Sequence, residues 1–252
     1  MVGADYNDKN YDYTKYWEGR DYENASEVIA LKKLLPKNFN KDRSIIDVGG
    51  GFGRLLSVFK DSFGDISIFD YSVKLLEAAT KNAKNLGLSI NTINGDVYNI
   101  SNLVDKKYDY VSMIRVSHHL EDLNKAFEEI NKILKEDGIF ILEVANKVHF
   151  KSIVVNLLKF NFKYLKKDSV SVASKDVAFL NHHPKYVEDI LKDSGFVVED
   201  KLSVSNFRLA VFKKLIPFNL LLRLEDFLQK MLSFIYFGPS IFYRIKKVNE
   251  VE

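Results

Sequence analysis

The sequence predicts an α/β protein: an open, mostly parallel sheet with helices on both faces. Three observations carry that expectation. Between residues 40 and 145, short β-rich runs alternate with helical ones. The first β-rich run ends in a glycine-rich loop that opens a helix. Aspartates follow the ends of three successive strand-like runs.

Taken in order, residues 24–35 read as a helix closed by Pro36, and 44–48 (SIIDV) as a buried strand. A helix over 52–60 follows, then a strand at 66–69 and a helix over 73–86 that stops at Gly87. Residues 89–93 and 108–114 read as the third and fourth strands. The spacing of Phe127, Ile130, Ile133 and Leu134 predicts a helix over 123–134, and 139–144 (IFILEV) is the fifth strand. Beyond it the pattern loosens. Residues 148–165 read as a basic, apolar helix. Pro184 at a first helical position and Gly195 past the end frame a helix over 184–194. A strand at 196–204, a helix over 219–237 and a last strand at 240–247 complete the chain.

Composition narrows the function. The 252 residues suit one large domain or a domain with an appended lid, and 46% hydrophobic with 28% charged residues excludes a disordered or low-complexity chain. Zero cysteines exclude disulfides, thiolate metal sites and a cysteine nucleophile, and fit a reducing compartment. A net charge of +3 gives no nucleic-acid footprint. The charge is nonetheless asymmetric: residues 1–145 carry 19 basic and 23 acidic side chains, the rest 18 and 11. The longest uncharged apolar run near the end, 231–243, is too short to span a bilayer, so a cytoplasmic location is expected.

The chemistry concentrates in Asp47-Val-Gly49-Gly50-Gly51-Phe-Gly53-Arg54. Glycines let backbone turn sharply and approach a ligand, and a helix start offers free N–H groups. A dinucleotide fingerprint needs a third small residue five positions after the first glycine. That place holds Arg54 counted from Gly49 and Leu56 counted from Gly51, so neither register works. Asp47 also suits an amine better than a phosphate. Asp70 ends the second strand, where a carboxylate can take a ribose diol, and Asp96 follows the third, within reach of an adenine amine. Taken singly, each aspartate also suits a turn or a helix cap.

The order Asp47-x-Gly49-x-Gly51-x-Gly53, Asp70, Gly95-Asp96 and YDYVSMIRVSHHLED over 108–122 resembles the class I S-adenosylmethionine-dependent methyltransferases, in their small-molecule, type 11-like branch. The resemblance covers about residues 40–145. It implies a Rossmann-like, doubly wound, seven-stranded sheet whose last strand is antiparallel, with helical cap insertions. It implies S-adenosylmethionine as cofactor, with Asp47, Gly49, Gly51 and Gly53 around its amino acid end, Asp70 and Tyr71 at the ribose, and Asp96 and Val97 at the adenine. Arg115 stands where the family commonly has a small or polar residue. Pairing with the cofactor carboxylate, pairing with an anionic substrate, and a plain surface charge all remain open for it. Tyr16 and Arg20 sit in a lead segment similar to ones that fold over the cofactor, which implies that they bind its carboxylate; an aromatic clasp packing on the core is the alternative.

The expected organisation is a lead segment and helix over 1–36, a cofactor-binding core over 37–145, and a remainder over 146–252 with cap insertions at 146–183 and 207–238. His118 and His119, then His149 and His183, are the candidates for a general base, against a loop or cap role for each. Arg208, just past a strand end, is the candidate substrate contact. No ligand-spaced histidines suggest a metal. The expected activity is methyl transfer to a small, apolar or amphipathic acceptor, with peripheral lipid contact through the basic, apolar C-terminal half as a possible partnership. A non-catalytic cofactor-binding member of the same fold is the alternative reading.

Overall fold

The computed structural model describes residues 16–173 and 178–248. The part of the lead segment before Tyr16 lies outside the described residues. The chain runs α1 (Asp21–Leu34), β1 (Asn40–Val48), α2 (Leu56–Phe59), β2 (Phe63–Asp70), α3 (Val73–Asn85), β3 (Asn91–Asn94), β4 (Tyr108–Met113), α4 (Leu123–Ile133) and β5 (Leu134–Ala145). It continues through α5 (Phe150–Leu158), β6 (Ser169–Ala173), β7 (Ala178–His182), α6 (Pro184–Asp193), β8 (Phe196–Val204), α7 (Ala210–Leu215), α8 (Phe218–Ser233) and β9 (Ser240–Lys247).

Seven strands form one sheet in the order β3-β2-β1-β4-β5-β9-β8. Pairs among β1 to β5 are parallel, and β9 runs antiparallel to both β5 and β8. This is the Rossmann-like sheet that the sequence predicts. The pleat sends neighbours to opposite faces. Ile46, Val48, Phe140 and Leu142 pack with α4 and α6 through Phe127, Ile130 and Val187. Ile45, Ile68, Ile139 and Ile141 pack on the other face with Leu31, Leu34 and Phe59. Central strands covered on both sides need unbroken apolar runs, which is what SIIDV and IFILEV supply. Side chains that accept a backbone N–H start the outer helices: Ser72 for α3 and Asp122 for α4.

Several elements depart from the sequence reading. The helix expected over 52–60 contracts to Leu56–Phe59, because left-handed Gly53 (φ 73°) delays its start. The helix expected over 148–165 ends at Leu158; Phe160 adopts φ 53°, and a short 3-10 turn at Phe162–Leu165 follows. The insertion 146–183 is not purely helical either, since β6 and β7 form an antiparallel hairpin. The insertion 207–238 holds two helices instead of one, divided at Pro217.

Candidate active site

The strand order turns around at β1, whose neighbours are β2 and β4. Open α/β sheets hold ligands outside the strand ends at such a reversal. The glycine loop leaves β1 there. Gly49, Gly51 and Gly53 have φ of 70°, 54° and 73°. A Cβ on Gly49 would meet Val116 Cγ2 at 2.2 Å, so any side chain would be both strained and in collision.

Two carboxylates flank this loop. Asp47 is buried; Oδ1 accepts the Ser112 hydroxyl at 2.6 Å, and Oδ2 lies against Gly50. Burial pushes its pKa up to about 7, against the Ser112 hydrogen bond and Arg54, which favour the anion. Asp70 accepts the Gly51 N–H at 2.9 Å and the Ser72 N–H at 2.8 Å, so it clamps loop to strand end. Burial raises its pKa as well. Asp96 is exposed and caps the turn at Val97–Asn102, accepting from Tyr98 N at 3.0 Å; Val97 is buried behind it. Tyr71 is exposed.

Beside this edge opens a cavity of about 270 Å³. Its walls bring together Tyr16, Arg20, Arg115, His118, His149 and Arg208, with His119 also on the lining. The histidine loop after β4 and the N-terminus of α5 therefore converge, as do the lead segment and the turn after β8. His183 is not on this wall. It caps α6, its Nδ1 accepting the Lys185 N–H at 3.2 Å, which is the cap role open to it from the sequence.

Electrostatics differ sharply among these groups. Arg115 (φ 62°) is no plain surface charge: its Nε lies 2.8 Å from Glu27 Oε1, and Nη1 donates to the Tyr16 hydroxyl at 3.1 Å. Glu27 also takes Arg54 at 2.6 Å, so one buried carboxylate fixes two guanidinium groups. Arg20 and Arg208 have no carboxylate within 4 Å among the described residues; Arg20 lies over the Tyr16 ring at 4.1 Å. Desolvation lowers the Arg208 pKa, Glu23 opposes that, and Arg115 and Arg20 reinforce it. His118 has a buried Nδ1 with no hydrogen-bond partner among the described residues, and its ring meets Phe179 at 5.2 Å. Burial, then His119 and Arg115, hold His118 well below the usual histidine value. Burial, with Arg208 and Lys151, brings His149 to about 4.

Two buried carboxylates that sequence reasoning missed shape these walls. Glu143 accepts the Arg115 N–H at 3.0 Å and the Ser240 hydroxyl at 2.6 Å; the signal was a lone charge inside IFILEV. Glu225 of α8 accepts from the Tyr22 hydroxyl (2.6 Å), Ser205 N (2.8 Å), Asn206 N (3.0 Å) and Asn206 Nδ2 (3.1 Å). That node fixes the turn carrying Arg208. Its signal is a polar stripe, Glu225, Gln229 and Ser233, at helical spacing.

Comparison with known proteins now decides the family. Residues 46–142 match the model of a methyltransferase domain. Over these residues the chain carries a class I S-adenosylmethionine-dependent methyltransferase domain. It is 29% identical over 193 residues to an uncharacterized protein of Methanocaldococcus jannaschii, covering 70% of each chain. It is 27% identical over 131 residues to a ubiquinone biosynthesis O-methyltransferase of Rickettsia conorii, covering 50% of this chain and 45% of that one. Its fold matches a crystal structure described as a putative S-adenosylmethionine-dependent methyltransferase from Listeria monocytogenes, with TM-score 0.62, 15% identity, and coverage of 90% and 99%.

S-adenosylmethionine is the cofactor of this methyltransferase. The edge suits it: glycine backbone bare of Cβ gives room for close approach, and the two carboxylates offer acceptors to an ammonium and a diol. Arg54, the loop's one cation, is already taken by Glu27 and by Asn24 at 2.6 Å, so the loop presents no phosphate clamp. Among the described residues, no group of three or more histidine or acidic side chains is placed to hold a metal ion.

Proposed function

We propose that this methyltransferase acts on a small, partly apolar acceptor that carries an anionic group. The observation behind this is the cavity at the strand-end edge, where Arg20 and Arg208 face in with no carboxylate within 4 Å among the described residues, Glu23 of the same wall being paired with Lys213 at 2.6 Å. A desolvated guanidinium gains most from a fixed anion, and its planar fork suits a carboxylate or phosphate. Val172 and Phe179 supply the apolar part of the wall.

The bound cofactor supplies a methyl group on a positively charged sulfur. The chain supplies the rest. Asp47 takes the cofactor's ammonium, Asp70 its ribose hydroxyls, and Asp96 with Val97 its adenine. The glycine loop carries the close backbone approach. Arg208 orients the acceptor, with Tyr16 and Arg20 bounding the passage between the two ligands. His118 lies on the cavity wall with its Nδ1 unpartnered among the described residues, so that nitrogen is the one placed to take the acceptor's proton. His119 and Phe179 keep its ring in place, and alignment of the two ligands provides the larger share of the rate.

The test is a pair of titrations and a rate. Arg208→Ala is expected to leave cofactor affinity unchanged and to weaken an anionic acceptor by about 1.5–3 kcal/mol. His118→Gln is expected to lower turnover by about 10²–10⁴-fold with both affinities kept. Equal loss of cofactor and acceptor binding in the Arg208 variant overturns the acceptor reading. Unchanged turnover in the His118 variant removes that residue as the base.

A further inference from the structure

The wall around the cavity continues outward into a surface that is both greasy and basic. No residue of α5 is buried. Leu158 and Phe160 are 76% and 81% exposed, and Phe150, Leu157 and Phe162 stand out beside them. Interleaved with them are Lys151, Lys159, Lys163, Lys166 and Lys167, and residues 148–167 contain no acidic side chain. A helix that merely packed on the core would hide one face. This one only half-buries Ser152, Ile153 and Asn156.

Helix α8 extends the same surface by an inversion. Its buried stripe is Leu221, Glu225, Gln229 and Ser233, three of them polar. Its outward residues include Phe227 and Met231, and Phe234 and Ile235 follow just past its end, with Phe227 72% and Phe234 70% exposed. The two segments join where Phe150 stacks on Phe237, ring centroids 5.0 Å apart, and where Phe150 N donates to Phe237 O at 2.9 Å. Exposed apolar area of this extent marks a docking face.

We infer that the surface formed by α5, the turn after it and the outer side of α8 docks on an anionic lipid bilayer. Charge decides among occupants. Phenylalanine and leucine side chains match the acyl boundary, and a lysine set without acids matches acidic headgroups. A second copy meeting this face about a twofold axis would set lysines 151–167 against the same lysines. The protein lies on the bilayer by this surface; among the described residues, no helix is long and apolar enough to span one. His149, the residue before α5, also lines the cavity. Docking therefore brings the mouth of the cavity to the headgroup level, where an acceptor with an apolar body and an acidic end resides. The surface itself stands independently of the acceptor reading.

The experiment is co-sedimentation of the full chain with vesicles of phosphatidylcholine alone and with phosphatidylglycerol added. Binding is expected only to the second kind and is expected to fall as salt rises. The double variant Leu158→Glu with Phe160→Glu is expected to lower partition by about tenfold or more. So is the variant Lys159→Glu with Lys163→Glu, which keeps the apolar groups. All four positions are exposed, and unchanged cofactor affinity by calorimetry certifies the fold of each variant. No binding to either vesicle, or equal binding of wild type and both variants, overturns the inference. So does a lipid-free dimer that the same variants dissociate, because a second copy then covers the face. None of these readouts needs turnover, so failure here and failure of the acceptor reading are separately visible.

Discussion

Helices α4 and α8 both lie against the body of the protein, yet α4 buries Leu123, Phe127, Ile130 and Ile133 while α8 buries Glu225, Gln229 and Ser233 beside Leu221. The first contact is held by area, worth about 1.5–3 kcal/mol for each large apolar side chain and indifferent to small shifts. The second is held by direction. Each hydrogen bond nets only about 0.5–1.5 kcal/mol, but it fixes where its partner stands. The sheet side of the molecule needs a solid base for a cofactor. The wall needs one turn, 205–208, set at one place, and a carboxylate with several donors does that.

The sharpest way to break this contrast is Glu225→Ala. It strands the buried Ser205 and Asn206 N–H groups and the Tyr22 hydroxyl. A loss of about 3–5 kcal/mol is expected by urea unfolding. If the loss is under about 1 kcal/mol, direction does not hold the wall. On the sheet side, Asp70→Ala removes the acceptor for Gly51 N and Ser72 N along with the proposed ribose contact. S-adenosylmethionine should bind about 1.5–3 kcal/mol more weakly by calorimetry. Unchanged affinity removes Asp70 from the cofactor site.

The smallest effect sharpens the electrostatics of that same edge. Asp47 titrates near 7 in the fold, above its ordinary 3.8. The neutral acid is thus favoured by folding. Its contribution to stability is full below about pH 4 and lost as pH rises through about 7. An ammonium ligand needs the anion, so cofactor binding runs the other way. Affinity should rise about tenfold per pH unit up to about pH 7 and then level off. Titrations that are flat from about pH 5 to 7 show that Asp47 does not meet the ammonium.

The sheet side was legible because its signals are local. Gly49, Gly51 and Gly53 announce left-handed backbone within seven residues, and SIIDV and IFILEV announce strands covered on both faces. The wall was not, because its logic is long-range. Glu225 looks like a solvated charge until Tyr22, 203 positions away, is seen to donate to it. The α5 segment carried helical spacing to residue 165, but left-handed Phe160 cuts it short. The β6–β7 hairpin escaped notice although SVSVA alternates as a strand does, since so short a run is decided by its pairing with residues 178–182. Of the four histidines singled out, sequence could not separate His183, a helix cap, from the three on the cavity wall.

The Glu225 node also constrains how this chain can change. Tyr22 on α1, the turn carrying Arg208 and Gln229 on α8 all hang on one carboxylate, with Gln229 donating to Ser26 O at 3.0 Å. A substitution in any one of the three leaves a buried donor or acceptor in the other two. Grafting a different acceptor preference onto this scaffold therefore requires α1, residues 205–208 and α8 to be exchanged together, as a single cassette, while the glycine edge is left in place.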